Sequence, residues 1–291
     1  MLKPNFIGHG SYRSAINWSS MYVEVENDVL VIFDCNVDTY KFFAGTTEGN
    51  SLLDKYYKYI VVLSSTHEAS CSGISMLLKY FETRPRGSIA AYEEEQKMMK
   101  IITPNKNRLE EYIGMFNRDF DGQVKTYEPE RIFYEIMQTY EMNSVEYIPQ
   151  FSGFGLWVGE DEKLGMKIEY YIVPFPAIVV TDEQIDLSYA AYMLYYSENG
   201  EVKNSIFYNG VSGYAENAVP LDELFKGNGT YILTARGVAK KDPDKLMENI
   251  NKIYEKKKEI PNIILTGFNS LIDKQNYDNS LNKMLNIVGA E

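Results

Sequence analysis

Apolar and polar positions alternate from Met21 to Glu26, and an unbroken apolar run follows from Val29 to Phe33. Alternation marks a strand with one solvated face, a continuous run marks a strand buried on both faces, and Asn27-Asp28 between them supplies a turn, so the segment predicts a hairpin. Asp34, Cys35 and Asn36 end its second strand. Tyr59 to Leu63 is a further short buried strand, and Ser64 to Ser72 is a polar loop. Ile74, Leu77, Leu78 and Phe81 recur at helical spacing, which predicts a helix from about Gly73. Strand, polar loop, helix is an order that delivers side chains to a site at a strand's carboxyl end.

The middle of the chain reads as more helical. Ser88 to Tyr92 is a candidate strand, and Glu93 to Ile102 reads as a helix whose acidic first turn, Glu93 to Glu95, suits the positive end of a helix dipole. The stretch 105–151 reads as helical and aromatic, with Pro129 near a helix start and Ile132, Phe133, Ile136, Met137 and Tyr140 as an apolar stripe. Strands return with Leu164 to Val173, ended by Pro174-Phe175-Pro176. Ser188 to Tyr196 follows, then a turn at Glu198-Asn199-Gly200 and a return strand from Ser205 to Tyr208. Thr230 to Thr234 and Asn262 to Leu265 are short buried strands flanking a charged amphipathic helix, about Asp242 to Lys258. No internal repeat or low-complexity linker interrupts this order. It predicts an α/β protein with two sheets in a four-layer helix–sheet–sheet–helix sandwich, one domain over 1–291 with a looser helical insertion around 82–165.

Composition narrows the function. The 291 residues are 45% hydrophobic and 24% charged, a globular balance. The net charge of −12 opposes a phosphate backbone, so extended nucleic acid is excluded as a partner while a local pocket for a small nucleotide is not. Lys256, Lys257 and Lys258 read as a solvated helix end. Two cysteines, Cys35 and Cys71, are too few for a disulfide framework. No run reaches the roughly 20 apolar residues of a membrane span. Gly8, His9, Gly10 and Asn17 fall where a signal peptide needs an apolar run, so a cytoplasmic protein without membrane attachment is expected. The 24 tyrosines suit core packing or an interface.

Five segments together resemble one family. Ile7 to Ser11 with Asn17, Leu30 to Cys35, Ser65 to Ser72, Tyr208 to Gly213, and Ile264 to Phe268 stand in the order and strand contexts of the metallo-β-lactamase fold, in its RNase Z-like and phosphodiesterase-like branch. The resemblance implies a four-layer αββα sandwich and, in active members, two metal ions about 3.5–4 Å apart that activate a water. It implies ligands at seven positions of this sequence. His67 keeps the first histidine. Ala69, Cys71 and Ser72 stand at the rest of the T-H-x-H-x-D-H signature, Phe175 at the histidine after the next strand, Val211 at the bridging aspartate, and Gly267 at the last histidine. The whole chain has only two histidines, His9 and His67, so no shift of alignment restores a histidine-rich site.

The resemblance therefore implies a degenerate member without a catalytic metal: an inactive binding or scaffold protein for a small nucleotide or a protein partner. A homodimer, or a heterodimer with an active relative, is among the expectations. The implied pocket is lined by His67, Glu68, Ser70, Ser72, Phe175, Asn209, Ser212, Thr266 and Asn269, with Phe175 filling vacated volume. Asp34 resembles the family's acid that orients a ligand histidine, so an Asp34–His67 hydrogen bond is expected. The alternative is a divergent metal-dependent hydrolase or phosphodiesterase with a relic zinc site from His67, Cys71, Asp34 and Glu68. A Cys71 nucleophile activated by His67, and a purely structural interaction protein, are the remaining readings.

Overall fold

The computed structural model describes residues 2–8, 10, 17–25, 29–84, 97–116, 132–139, 156–163, 166–180, 185–210, 228–234 and 262–266. Its elements run β1 (Asn5–Gly8), β2 (Ser20–Val25), β3 (Val29–Phe33), α1 (Val37–Gly45), α2 (Thr47–Lys55), β4 (Lys58–Val62), α3 (Glu68–Cys71), α4 (Ile74–Thr83), β5 (Lys97–Thr103) and α5 (Lys106–Phe116). Then follow β6 (Ile132–Gln138), β7 (Leu156–Lys163), β8 (Met166–Val180), β9 (Ile185–Glu198), β10 (Glu201–Tyr208), β11 (Asn228–Thr234) and β12 (Asn262–Thr266).

They form two six-stranded sheets, ordered β1-β2-β3-β4-β5-β6 and β12-β11-β10-β9-β8-β7. The hairpin read from Met21 to Phe33 is β2–β3, antiparallel, with β3 buried along its whole length. From β3 to β6 the first sheet is parallel, and its crossovers carry the helices. Asn36 starts α1 because its side chain accepts hydrogen bonds from the Asp38 and Thr39 amides, and Thr46 starts α2 by accepting from the Gly49 amide. Gly73 lets α4 close on the β3–α1 junction, since a Cβ there would strike the Asn36 carbonyl.

Period-two alternation sorts the core into layers. Val31, Phe33, Ile60, Val62 and Ile102 from the first sheet meet Ile172, Tyr192, Leu194, Ile206 and Ile232 from the second. The other face of the first sheet, including Ile32, Val61 and Ile101, packs on Phe43, Leu53, Leu77 and Phe81 of the helices. The outer face of the second sheet is buried as well, at Met193, Tyr195, Phe207 and Tyr231. The fold is thus a mixed α/β sandwich of two sheets with helices on the outside.

Four expectations are corrected. In the described part of the helix read over Glu93 to Ile102 there is none: 97–103 is β5, because Met99, Ile101 and Ile102 are buried between neighbouring strands, and that burial outweighs the helix preference of Lys and Met. The stripe of Ile132, Phe133, Ile136 and Met137 lies on strand β6, in parallel register with β5; pairs of apolar residues four apart satisfy either period. Around 82–165 the described residues hold the last turn of α4, then β5, α5, β6 and β7, so past α4 only 106–116 is helical among them. Pro174 and Pro176 do not end β8, which stays paired with β9 to Val180. Pairing with β7 stops at Ile172, so the missing proline donors fall where β8 has, among the described residues, a partner on one side only. The turn at Asn199-Gly200 is as read, with φ of 49° and 79° closing the β9–β10 hairpin. The segments 88–92, 140–151 and 242–258, and His9, lie outside the described residues.

Phe33 is fully buried between the sheets with its ring 5.0 Å from that of Tyr208. Phe33→Ala is expected to lower unfolding free energy by about 3–5 kcal/mol in urea denaturation.

Candidate functional site

Asp34 stands just past the carboxyl end of β3, beside the carboxyl end of the parallel strand β4. It is fully buried and has φ of 59°, a left-handed conformation uncommon outside glycine. Its amide donates to the Val62 carbonyl at 2.9 Å. Its Oδ1 accepts from the Ser64 amide at 2.7 Å, and its Oδ2 accepts from Ser64 Oγ at 2.7 Å and from Tyr208 Oη at 2.8 Å. Tyr208 is the last residue of β10, so this bond crosses from one sheet to the other. Gly210 closes the site from the second sheet: a Cβ there would overlap Asp34 Oδ2 and the Tyr208 ring.

Hydroxyls extend the cluster. Ser70 Oγ lies 3.1 Å from Ser64 Oγ and 3.0 Å from Ser65 Oγ. The loop after β4 is stitched to β9 by Tyr192 Oη donating to the Leu63 carbonyl at 2.7 Å, by the Ala190 amide donating to the Ser64 carbonyl at 2.9 Å, and by a bridge between Ser65 and Tyr189.

The electrostatics follow from burial. Loss of water pushes the Asp34 carboxyl from 3.8 up to about 7, against the pull of its bonds from Ser64, Tyr208 and Ser70. Burial and the Asp34 charge hold the Tyr208 phenol well above its ordinary range, so it stays a donor. Burial likewise raises the Cys35 thiol and pushes the Cys71 thiol up to about 12.

The sequence-derived site residues do not converge. His67 is exposed and is the N-cap of α3: its Nδ1 accepts from the Ala69 amide at 3.4 Å, which requires that nitrogen to be unprotonated. The expected Asp34–His67 pair does not form: Ser64 and Tyr208 take the carboxylate, and His67 Nδ1 takes the Ala69 amide. Glu68 is exposed beside it. Cys71 belongs to the helix-side core and donates Sγ–H to the Thr66 carbonyl at 3.5 Å, and a buried neutral thiol is no nucleophile. Ser72 Oγ accepts from the Val37 amide at 3.2 Å, while Ser70 does join the Asp34 cluster. Phe175 sits half-buried in β8 opposite Ala191; Tyr208, not Phe175, is the aromatic side chain that reaches Asp34. Asn209 and Thr266 are buried at the ends of β10 and β12. Ser212, Asn269, Val211 and Gly267 lie outside the described residues.

Sequence reasoning missed Ser64, Tyr192, Tyr208 and Gly210. A signal existed for Tyr208: it is the last inward-facing position of its strand, so the ring fills the core and the hydroxyl overshoots to the strand's end.

No protein-family model and no curated protein matches the sequence. Solved structures do. Yeast PDE1 in its unliganded form superposes with a TM-score of 0.50 at 7% identity, over 97% of this chain and 94% of that one. A long form of RNase Z from yeast superposes with a TM-score of 0.53 at 14% identity, over 92% of this chain. The chain has the metallo-β-lactamase fold. It spans 37% of the length of that RNase Z. At these identities the likeness shows the fold alone, and the chemistry must be read from this chain's own residues.

Those residues do not fit the two-metal centre that the fold implies. Such a centre needs several imidazoles and carboxylates with free lone pairs aimed at one point. Here the one carboxylate at the site is occupied by three hydroxyl and amide donors, and the described imidazole is spent on a helix cap. Among the described residues no three of His, Cys, Asp and Glu group to hold a metal ion, so Asp34, His67 and Cys71 do not gather as the relic zinc reading requires.

Two outcomes follow. Tyr208→Phe removes one inter-sheet bond and is expected to cost about 1–3 kcal/mol in thermal or urea unfolding. The folded Asp34 keeps its proton to about pH 7, whereas an unfolded aspartate releases it near 3.8. The folded state therefore holds the extra proton between these values. Stability from this group is complete below about pH 4 and falls as pH rises to 7, by up to roughly 1.4 kcal/mol per pH unit. Asp34→Asn, isosteric with the neutral acid, is expected to flatten that part of the stability profile; an unchanged slope counts against a buried neutral carboxyl.

Proposed function

We propose that the protein is a catalytically inactive relative of the metallo-β-lactamase-fold hydrolases that works as a binding or scaffold protein. The observation that carries this reading is the filling of the site by the chain's own side chains. Tyr208 Oη and Ser64 occupy the Asp34 carboxylate, and Gly210 closes over it without room for a Cβ. Hydrolysis in this fold needs metal-bound water, and hydroxyl groups of serine and tyrosine are poor replacements for its ligands.

The ligand this reading favours is a protein partner rather than a small nucleotide. A nucleotide's phosphates ask for cationic side chains or a row of free amides. The loop Ser64–Ser72 carries no lysine or arginine, and the chain as a whole is acidic. Exposed at that loop are His67 and Glu68, a polar surface over a rigid base.

The test is elemental analysis of protein purified without chelator and dialysed against zinc or manganese, together with hydrolysis of a chromogenic phosphodiester. Substoichiometric metal and no turnover above the buffer blank are expected. One or two tightly held ions per chain, with turnover abolished by His67→Ala, would overturn the reading.

A further inference from the structure

A second surface lies far from the Asp34 cluster in the sheet order, at the β6 edge. Among the described residues β6 is the last strand of its sheet, paired with β5 on one side only. An unpaired edge offers a row of backbone donors and acceptors to another strand. Edges are usually blunted by charge or by proline, yet on β6 Phe133 is 51% exposed and Tyr134 45%, on opposite faces, and Met98, the register partner of Phe133 on β5, is 50% exposed. Such large apolar side chains gathered at one edge mark an interaction surface. Between β6 and α5 runs a groove of about 320 Å³ lined by Lys106, Glu110, Ile113, Tyr134, Glu135 and Ile136.

The charges say what fits. Among the described residues Glu110 and Glu135 form no ion pair, and Lys100, the register neighbour of Glu135 on β5, does not bridge to it. Glu135 stands at the middle of the seven-residue strand. Antiparallel pairing of β6 with a second copy in full overlap would put Glu135 opposite Glu135, and like charges directly opposite are destabilising. Each copy also carries a net charge of −12. A second copy is therefore the wrong occupant.

We infer that the β6 edge docks an extended, basic strand of a different protein. Alternation assigns its two faces. Aliphatic residues on one face cover Tyr134 and Ile136 over the α5 groove. Lysines or arginines on the other stand opposite Glu135 and over the exposed ring of Phe133, where a cation is favoured. Main-chain bonds to the edge supply affinity and the carboxylates supply the choice of partner. The inference holds whether or not the chain hydrolyses anything, so it stands or falls apart from the inactive-scaffold reading.

The experiment titrates the full chain with a capped peptide of alternating valine and lysine, about seven residues long, and with its valine–glutamate counterpart, following backbone amide shifts. The lysine peptide is expected to bind saturably, with shifts confined to β6 and α5, and the glutamate peptide not to bind. In the variant Glu135→Lys, lysine-peptide affinity is expected to fall roughly tenfold and the glutamate peptide to gain binding. Glu111→Lys, an equal change in charge per site on exposed surface of α5 outside the groove, is expected to leave both unchanged. No binding, an equal loss with Glu111→Lys, or a concentration-dependent dimer in sedimentation that Phe133→Lys dissolves would each overturn the proposal.

Discussion

One buried carboxyl ties the two sheets together at their strand ends. Asp34 follows the last residue of a strand of the first sheet, and Tyr208, ending a strand of the second, donates to it at 2.8 Å in the buried interior. A lone carboxylate there would be costly, and among the described residues no cation balances it. The chain supplies hydroxyls instead. Ser64 and Tyr208 satisfy both oxygens, Ser70 and Ser65 continue the chain of bonds, and burial drives the group toward its neutral form. Among the described residues, hydroxyls and amides stand in for a cation at this buried carboxyl.

That substitution is local, yet its support is broad. Asp34 stays in its left-handed conformation because its amide is tied to β4, Asn36 caps α1 two residues later, and Gly73 admits α4 against the same turn. The loop from Ser64 to Ser72 is fixed at both ends, by β9 through Tyr192 and Ala190 and by α1 through Ser72. A loop tied down in this way loses little conformational entropy when something contacts it.

Much of the sandwich was legible in the order of buried runs, because a parallel strand buried on both faces leaves an unmistakable apolar block, as at 29–33 and 59–63. The strands at the first sheet's free end were not. Lys97 to Thr103 and Ile132 to Gln138 contain good helix formers and apolar pairs that fit either period, and only the neighbouring strand decides between them. At the site, Asp34 and Ser70, both singled out from the sequence, stand in one hydrogen-bonded cluster. The hydrogen-bond partners were not legible. Tyr208 meets Asp34 across a separation of 174 positions, and nothing short of the packed sheets tells which hydroxyl will arrive there. His67 was misread because one imidazole in a ligand-like motif looks like a relic, whereas a turn needing an acceptor at its N-cap uses it equally well.

The prolines in β8 acquire a meaning from where they sit. Beyond Ile172 the strand has no described neighbour on its outer flank, and in that stretch Pro174 and Pro176 remove two of the amides that a foreign chain would need for zippering. That stretch of margin is thereby blunted against the addition of a foreign strand, while β6, in the other sheet, carries no proline and keeps all its amide donors.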